Sequence, residues 1–534
     1  MASNTLTLRH TFAGGWASDF GPSVDVAPDA SGAVRLPFLV DAENVVFELD
    51  GGPHKIGGTS HVNSSVMEAG AAVNGLYDYW RQGVAANPTR RRVVHVGTKV
   101  LADTDDGIFT TTLFSGLTSG AVPSYFTFDD LLIIASDSIV DTPKSWDQTT
   151  AQALAGTPPR FSFGCAHKNR AWAAGDFTNP SKLYYSTNVN PEDWIGVGSG
   201  SIDIDPNDGD MITGIASHKD ELIVFKGPNK GSIHRITGSS PTGSDGFARK
   251  NFCSGLGACW QNAIFRYGDE LGFVSQFGTV HSLSATASFG DFFEVALSRP
   301  IHKWITQHLS YARLRNIWAT NSPAEGRVYF SMSVDASTTN NITLAMDYRT
   351  IQQGGVRWSQ IPAYAFASIG LFVDTSGLRR VLGGGNDGFM KRLNIPARSL
   401  DGSATAYTAK VTTPYLNYGQ PIIKKTISIA TVGIAPTGNY NVTFGWQRDD
   451  NAQQTATVTQ GGGDVLGPSS VNPFTLGTST LAGAQYVDRY MDLEEGGEFR
   501  SIQYQVLQGG MDEDMELHSI SAGIKGGSIS TEND

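Results

Sequence analysis

A chain of 534 residues exceeds one ordinary hydrophobic core, so two or three domains are expected. Its 40% apolar and 17% charged residues suit a folded protein, and a formal charge of −12 argues against wrapping nucleic acid as its main task, because phosphates need a basic surface. Three cysteines exclude a disulfide framework, and no stretch has the length and apolar purity of a membrane-spanning helix.

The sequence MASNTLTLRHTFAGGW has no basic and hydrophobic signal segment, so synthesis in a cytoplasm without export is expected. Up to about residue 65 the pattern is irregular. Gly14, Gly15, Gly21, Pro22, Pro28, Gly32 and Pro37 break any helix and predict an extended N-terminal arm, which orders by lying on its own core or on a neighbouring subunit. One ordered piece stands out within it, DAENVVFELDGGPHKIGGTS. Val45, Phe47 and Leu49 alternate there with Val46 and Glu48 before a hairpin-type turn at Asp50-Gly51.

Residues 66–397 read as short strands joined by polar turns. The stretch that organises this region is ITGIASHKDELIVFKGPNKGSIHRITG, from Ile212 to Gly238. Its apolar runs GIAS, ELIVF and IHRIT are separated by the turns HKDE and GPNKGS. Three such strands cannot bury a face alone, and comparable units recur. They include NGLYDYWRQG with RRRVVHVGTKVLAD, SYFTFDDLLIIASDS, RFSFGCAHKNRAWAAGDF with SKLYYST, AIFRYGDELGFVSQF, RVYFSMSV with ITLAMDYR, and AFASIGLFV with RRVLGGGNDGFMKRLN. Their spacing of about 40–50 residues is that of four-stranded propeller blades and predicts about six or seven of them. The phrases HKNRAW, HKDELIV, YGDELGFV and NDGFM mark the same polar turn in different units.

One helix is expected inside this region, over residues 296 to 314. Ile301, Trp304, Ile305, His308 and Leu309 would share a face, with Ser298 as cap and Pro300 near the first turn. On that face His308 reads as a core histidine. Residues 398–534 are strand-like throughout and predict a C-terminal antiparallel β-sandwich, with GGSISTEND loose at the end. The fold class is therefore all-β, a β-propeller with an extended N-terminal arm and a C-terminal β-sandwich.

Signals for chemistry are sparse. There is no nucleophile elbow, no HExxH and no zinc spacing, so neither catalytic residues nor a cofactor is assigned and the protein is not read as an enzyme. Cys253 and Cys259 read as small buried hydrophobes. The glycine-rich GGGNDG at 383 to 388 joins strands rather than a strand to a helix, which disfavours phosphate cradling. Asp203, Asp205, Asp208 and Asp210 in DIDPNDGD are the candidate cation ligands, because clustered carboxylates supply the hard oxygens that calcium prefers. Because the loop lacks the bidentate Glu and the spacing of an EF-hand, a solvated acidic turn between blades is the favoured reading and no metal is assigned. Tyr184, Tyr185 and Trp194 fit blade packing better than sugar stacking, and no sialidase-type Asp-box is present. Arg90, Arg91 and Arg92 form the single basic run, read as a solvated face that would touch DNA or an acidic partner only secondarily.

Three passages carry a resemblance to structural proteins of tailed bacteriophages. They are WASDFGPSVDVAP with DAENVVFELDGGPHKIGGT, KLYYSTNVNPEDW, and ELIVFKGPNKGSIHRITG. In style the chain resembles the tail nozzle proteins of short-tailed phages, also called tail-hub or tail tubular B proteins. The resemblance implies a virion protein assembled in the host cytoplasm as a homo-oligomer, a hexameric ring below the portal and adaptor. Double-stranded DNA would leave through its channel, and tail fibres or a tip would attach outside. An acidic lumen would repel the duplex and keep it from sticking. Two other classes are weighed against this, a receptor- or glycan-binding phage protein and a sialidase-like hydrolase.

Overall fold

A computed structural model describes residues 6–19, 37–82, 89–104, 107–288, 296–351, 355–374, 376–402, 405–449, 451–461, 486–493 and 497–529. Part of the Gly/Pro-rich arm (Gly21, Pro22, Pro28 and Gly32) and the last five residues lie outside these.

Seven antiparallel sheets form a propeller. The innermost strands are Val73–Arg81, Pro123–Phe128, Phe163–His167, Met211–His218, Ile264–Tyr267, Trp318–Ser322 and Phe366–Val373. The first and seventh lie side by side, which closes the circle. Each blade holds one of the recurrent units. The polar turn in HKNRAW and HKDELIV explains why they recur. Lys168-Asn169 and Lys219-Asp220 are two-residue loops with φ of 45° and 58°, and 44° and 62°, and Asp129-Asp130 repeats this at 50° and 59°. Positive φ at both central positions gives the loop a twist that matches its flanking strands.

The fourth blade contains Ile212 to Gly238 as three strands, Met211–His218, Glu221–Gly227 and Ser232–Thr237. A fourth, polar outer strand, Ala248–Ser254, completes it. Leu222, Ile223, Val224 and Phe225 are all buried, because both faces of this strand pack on neighbouring blades. Blade five has three strands among the described residues and runs into a short helix, Leu283–Ser288.

The N-terminal arm is a lace through its own chain. Leu6–His10 pairs with the C-terminal strand Leu517–Ile529, and Asp41–Glu43 enters between the sixth blade and the C-terminal region. Val45–Phe47 and Pro53–Lys55 make the expected hairpin. Gly58–His61 then pairs with Met390–Ile395 as the outer strand of blade seven, so the start of the chain closes the propeller. Residues 58–61 therefore belong to the propeller and not to a separate arm. Phe12, Trp16 and Leu39, each at most 1% exposed, anchor the lace in the main core. Burial of apolar surface on this scale outweighs the ordering cost of an irregular segment.

The C-terminal strands form two facing sheets whose inner side chains share one core, including Ile427, Val432 and Ile520 against Phe444, Tyr504 and Val506. The expected boundary near residue 398 is bridged by main-chain hydrogen bonds. Arg357–Ile361 of blade six pairs in parallel with Asp41–Glu43, which pairs antiparallel with Ala409–Thr412, giving one nine-stranded sheet. Leu517–Ile529 extends strand structure into the segment expected to be loose.

The helix expected over 296 to 314 is a single α-helical stretch, His302–His308, between 3-10 turns at Arg299–Ile301 and Tyr311–Asn316. Leu309 leaves it to bridge Val334. Ser298 caps nothing. Its Oγ accepts the Val280 N–H at 2.9 Å, tying the segment to blade five. Ile301, Ile305 and Leu309 are buried, whereas His308 is half-exposed with Nδ1 2.8 Å from the Asp335 carboxylate. It is a surface pair and not a core histidine.

Candidate functional site

The four aspartates of DIDPNDGD do not converge on an empty site. Asp203 ends a strand and is exposed. Asp205 pairs with Arg249, whose guanidinium holds its carboxyl below the usual range, and it lies 3.6 Å from Nε2 of the buried His234. Asp210 accepts the backbone N–H groups of Asn229, Lys230 and Gly231 at 2.7, 3.0 and 2.8 Å, so it shapes the GPNKGS turn of the neighbouring hairpin. Asp208 meets Lys226. The Lys226 side chain is 0% exposed, and its Nζ donates to Asp208 Oδ2 at 2.7 Å, Ile204 O at 2.7 Å, Asp205 O at 2.9 Å and Ser181 Oγ at 3.3 Å. Of the four carboxylates the sequence pattern offered calcium, only that of Asp208 takes part in this oxygen cage, and an internal ammonium fills it.

A second cluster of ligand-type groups, His61, Asp387 and Asp401, has the same solution. Lys391 Nζ lies 2.7 Å from Asp387 and 3.0 Å from Asp401, and His61 stacks on Phe389 with ring centroids 3.9 Å apart. Sequence reasoning missed this group because its members sit on three separate segments.

The remaining flagged residues resolve into packing. Tyr184 donates to Asp176 at 2.8 Å, Tyr185 packs on Trp172 and Phe247, and Trp194 is buried with its indole N–H donating to Pro191 O at 2.9 Å. Gly383 and Gly384 are required by close approach. A Cβ on the first would run into the Phe366 ring, and one on the second into the Val73 carbonyl of blade one. Cys165 and Cys259 have thiols pushed up to about 12 by burial, and Cys253 to about 11, so none is a ready nucleophile. The basic run is not a solvated face. Arg90 Nε lies 2.6 Å from Asp78, Arg92 chelates the fully buried Asp103, and only Arg91 is left without an ion pair among the described residues.

The most built polar centre ties the arm, blade seven and the C-terminal strands together. His54 of the arm hairpin places Nε2 3.0 Å from Asp514 and Nδ1 3.4 Å from Glu48. Arg398, just after the last propeller strand, donates to both Asp514 oxygens at 2.8 and 3.1 Å. Burial opposes charge on His54, and the guanidinium 2.9 Å from Nε2 opposes it too, but the two carboxylates prevail and lift the imidazole to about 9. Asp514 is held well below the usual carboxylate range by the same two cations against its own burial. Beside them the fully buried Lys55 donates to Gln508 Oε1 at 2.7 Å and Gly510 O at 3.1 Å, and burial brings its ammonium down to about 8. The contacts of His54 with Asp514 and Arg398, and those of Lys55 with Gln508 and Gly510, each span more than 300 residues of sequence. The arrangement is a clamp, because His54, Arg398 and Asp514 each bond a segment distant in the chain.

No protein-family model and no curated protein matches the chain. Among solved structures it is similar to YCF48 bound to D1 peptide, with 12% identity and a TM-score of 0.35 over 62% of this chain and 94% of that one. It is also similar to the exo-beta-1,3-galactanase of Phanerochaete chrysosporium with galactose, with 9% identity and a TM-score of 0.27 over 88% and 100%. A third likeness is to Raptor of Chaetomium thermophilum, with 10% identity and a TM-score of 0.39 over 64% and 28%. Likenesses at this level carry no argument about function. No described helix is long and apolar enough to cross a membrane.

Proposed function

We propose that the protein is a structural subunit of a bacteriophage tail, the nozzle or hub ring that continues the DNA channel below the portal and adaptor and conducts genome ejection. The observation that carries this reading is the nine-stranded sheet joined through Asp41–Glu43, where Glu43 pairs with both Gln360 and Lys410. A ring subunit under internal pressure needs a body that does not hinge. Inter-domain motion is the default when segments meet through small polar interfaces, and a continuous hydrogen-bonded sheet removes that freedom. The His54–Asp514–Arg398 clamp reinforces the same seam. The carboxylates found in clusters are matched by Lys226 and Lys391 and are not arranged as a reacting pair, which supports a scaffolding role over hydrolysis. Cyclic symmetry would close identical subunits into a ring, six in this reading, with adaptor above and fibres or tip outside. The test is electron microscopy of the purified chain with and without virion tails. Rings in the tail support the proposal, and specific glycan capture by the isolated chain would support a receptor-binding role in its place.

A further inference from the structure

The seam between blades seven and one holds an open pocket of about 250 Å³. Among the described residues its wall carries four arginines, Arg90, Arg92, Arg380 and Arg392, and one carboxylate, Asp374, beside Ser60 and His61 of the closing strand and the apolar Val62, Phe372 and Leu382. Three of these guanidinium groups are matched by carboxylates, Arg90 by Asp78, Arg92 by Asp103 and Arg380 by Asp374. Two of them are held from behind. Arg90 is fixed by Asp78, whose other oxygen accepts the Val373 N–H of blade seven at 3.0 Å, and its guanidinium lies over the Trp80 ring. Arg92 is fixed by Asp103 and lies over Phe109. Arg380 shares Asp374 at 3.2 Å. Arg392 differs from the other three. It is half-buried on the strand that pairs with Ser60, and its guanidinium meets no carboxylate and no hydrogen-bond acceptor among the described residues.

We infer that this pocket binds an oxyanion of the phosphate class, with Arg392 as its principal ligand. Guanidinium forks match the oxygen spacing of phosphate, and arginines oriented in advance lose little freedom on binding. The volume admits a phosphate or pyrophosphate group, either free or carried on a nucleic-acid strand that presents its backbone at the mouth. The inference does not rest on the tail reading.

The test is isothermal titration of the full chain with inorganic phosphate, with pyrophosphate and with a short single-stranded oligonucleotide. Arg392→Gln keeps the side-chain stem, and Arg249→Gln, whose guanidinium serves Asp205 in another blade, is the charge-matched control. Circular dichroism and melting confirm that both variants are folded. The expected result is saturable binding of phosphate or pyrophosphate, weakened at least tenfold by Arg392→Gln and unchanged by Arg249→Gln. Oligonucleotide binding that pyrophosphate displaces and Arg392→Gln abolishes assigns the anion to nucleic acid. Failure of every probe to bind, or binding that Arg392→Gln leaves intact, overturns the inference.

Discussion

Lys226 Nζ lies 2.7 Å from Asp208 Oδ2, and the lysine side chain is fully buried while the aspartate is 25% exposed. The ammonium therefore serves as the resident cation of the acidic loop between blades three and four. Its remaining protons go to the backbone carbonyls of Ile204 and Asp205, so removing it orphans several acceptors at once.

Lys226→Met should accordingly lower unfolding free energy by about 3 kcal/mol, because a buried pair loses one partner and carbonyls lose their donor. Chemical denaturation measures it directly. Millimolar calcium should leave the melting temperature of the wild-type protein unchanged, because the carboxylates of Asp205, Asp208 and Asp210 are already taken up by Arg249, Lys226 and the backbone N–H groups of residues 229–231. A rise with calcium would show that the aspartates bind the metal in preference to the lysine.

The clamp predicts a pH dependence of definite sign. His54 has its folded value raised to about 9, so its contribution is complete below the ordinary histidine value of 6.5 and is lost as pH climbs through about 9. Asp514 has its folded value depressed, so its contribution is present above 3.8 and fades as pH falls. Lys55 opposes the histidine trend, since its depressed folded value makes stability rise above about 8. Comparing wild type with His54→Gln isolates the histidine. The difference between them should be on the order of 2–3 kcal/mol at pH 6 and should shrink by pH 10. A difference that does not vary with pH would assign His54 a packing role alone.

Closure of the propeller depends on a position with no room for a side chain. A Cβ on Gly58 would run into the Ser399 carbonyl. Gly58→Val should displace the closing strand and open the blade seven–blade one seam to limited proteolysis near residues 58–61, with a loss of roughly 2–4 kcal/mol from strain and lost pairing. Unchanged protease resistance would show that the closing strand is dispensable.

Trp16 anchors the arm. Its ring is 1% exposed, meets Trp304 edge-on with centroids 5.3 Å apart, and its indole N–H donates to Val40 O at 3.1 Å. Trp16→Ala should cost about 3–5 kcal/mol by cavity formation. Denaturant midpoints of the variant and wild type check this.

The blade pattern was legible in the sequence because it is local. Paired polar residues such as Lys168-Asn169 and Lys219-Asp220 mark turns of fixed geometry, and apolar runs such as Leu222 to Phe225 mark the strands between them. What joins distant parts was hidden. Nothing near Glu43 announces that it pairs with Gln360 and Lys410, and nothing near Gly58 announces Met390–Ile395. The acidic loop shows the same limit. Its carboxylates were readable, but the lysine that Asp208 meets stands 18 residues later on another hairpin. Arg90 and Arg92 looked exposed as a run, and burial came from Asp78 and Asp103 on the adjacent strands of blade one.

Negative-stain electron microscopy of the purified chain, alone and mixed with virion tails, tests the central claim most directly. Six-fold rings with a central channel, seated coaxially beneath the portal and adaptor, are the expected result. Single copies at a fibre tip, or particles that never join the tail axis, would contradict it.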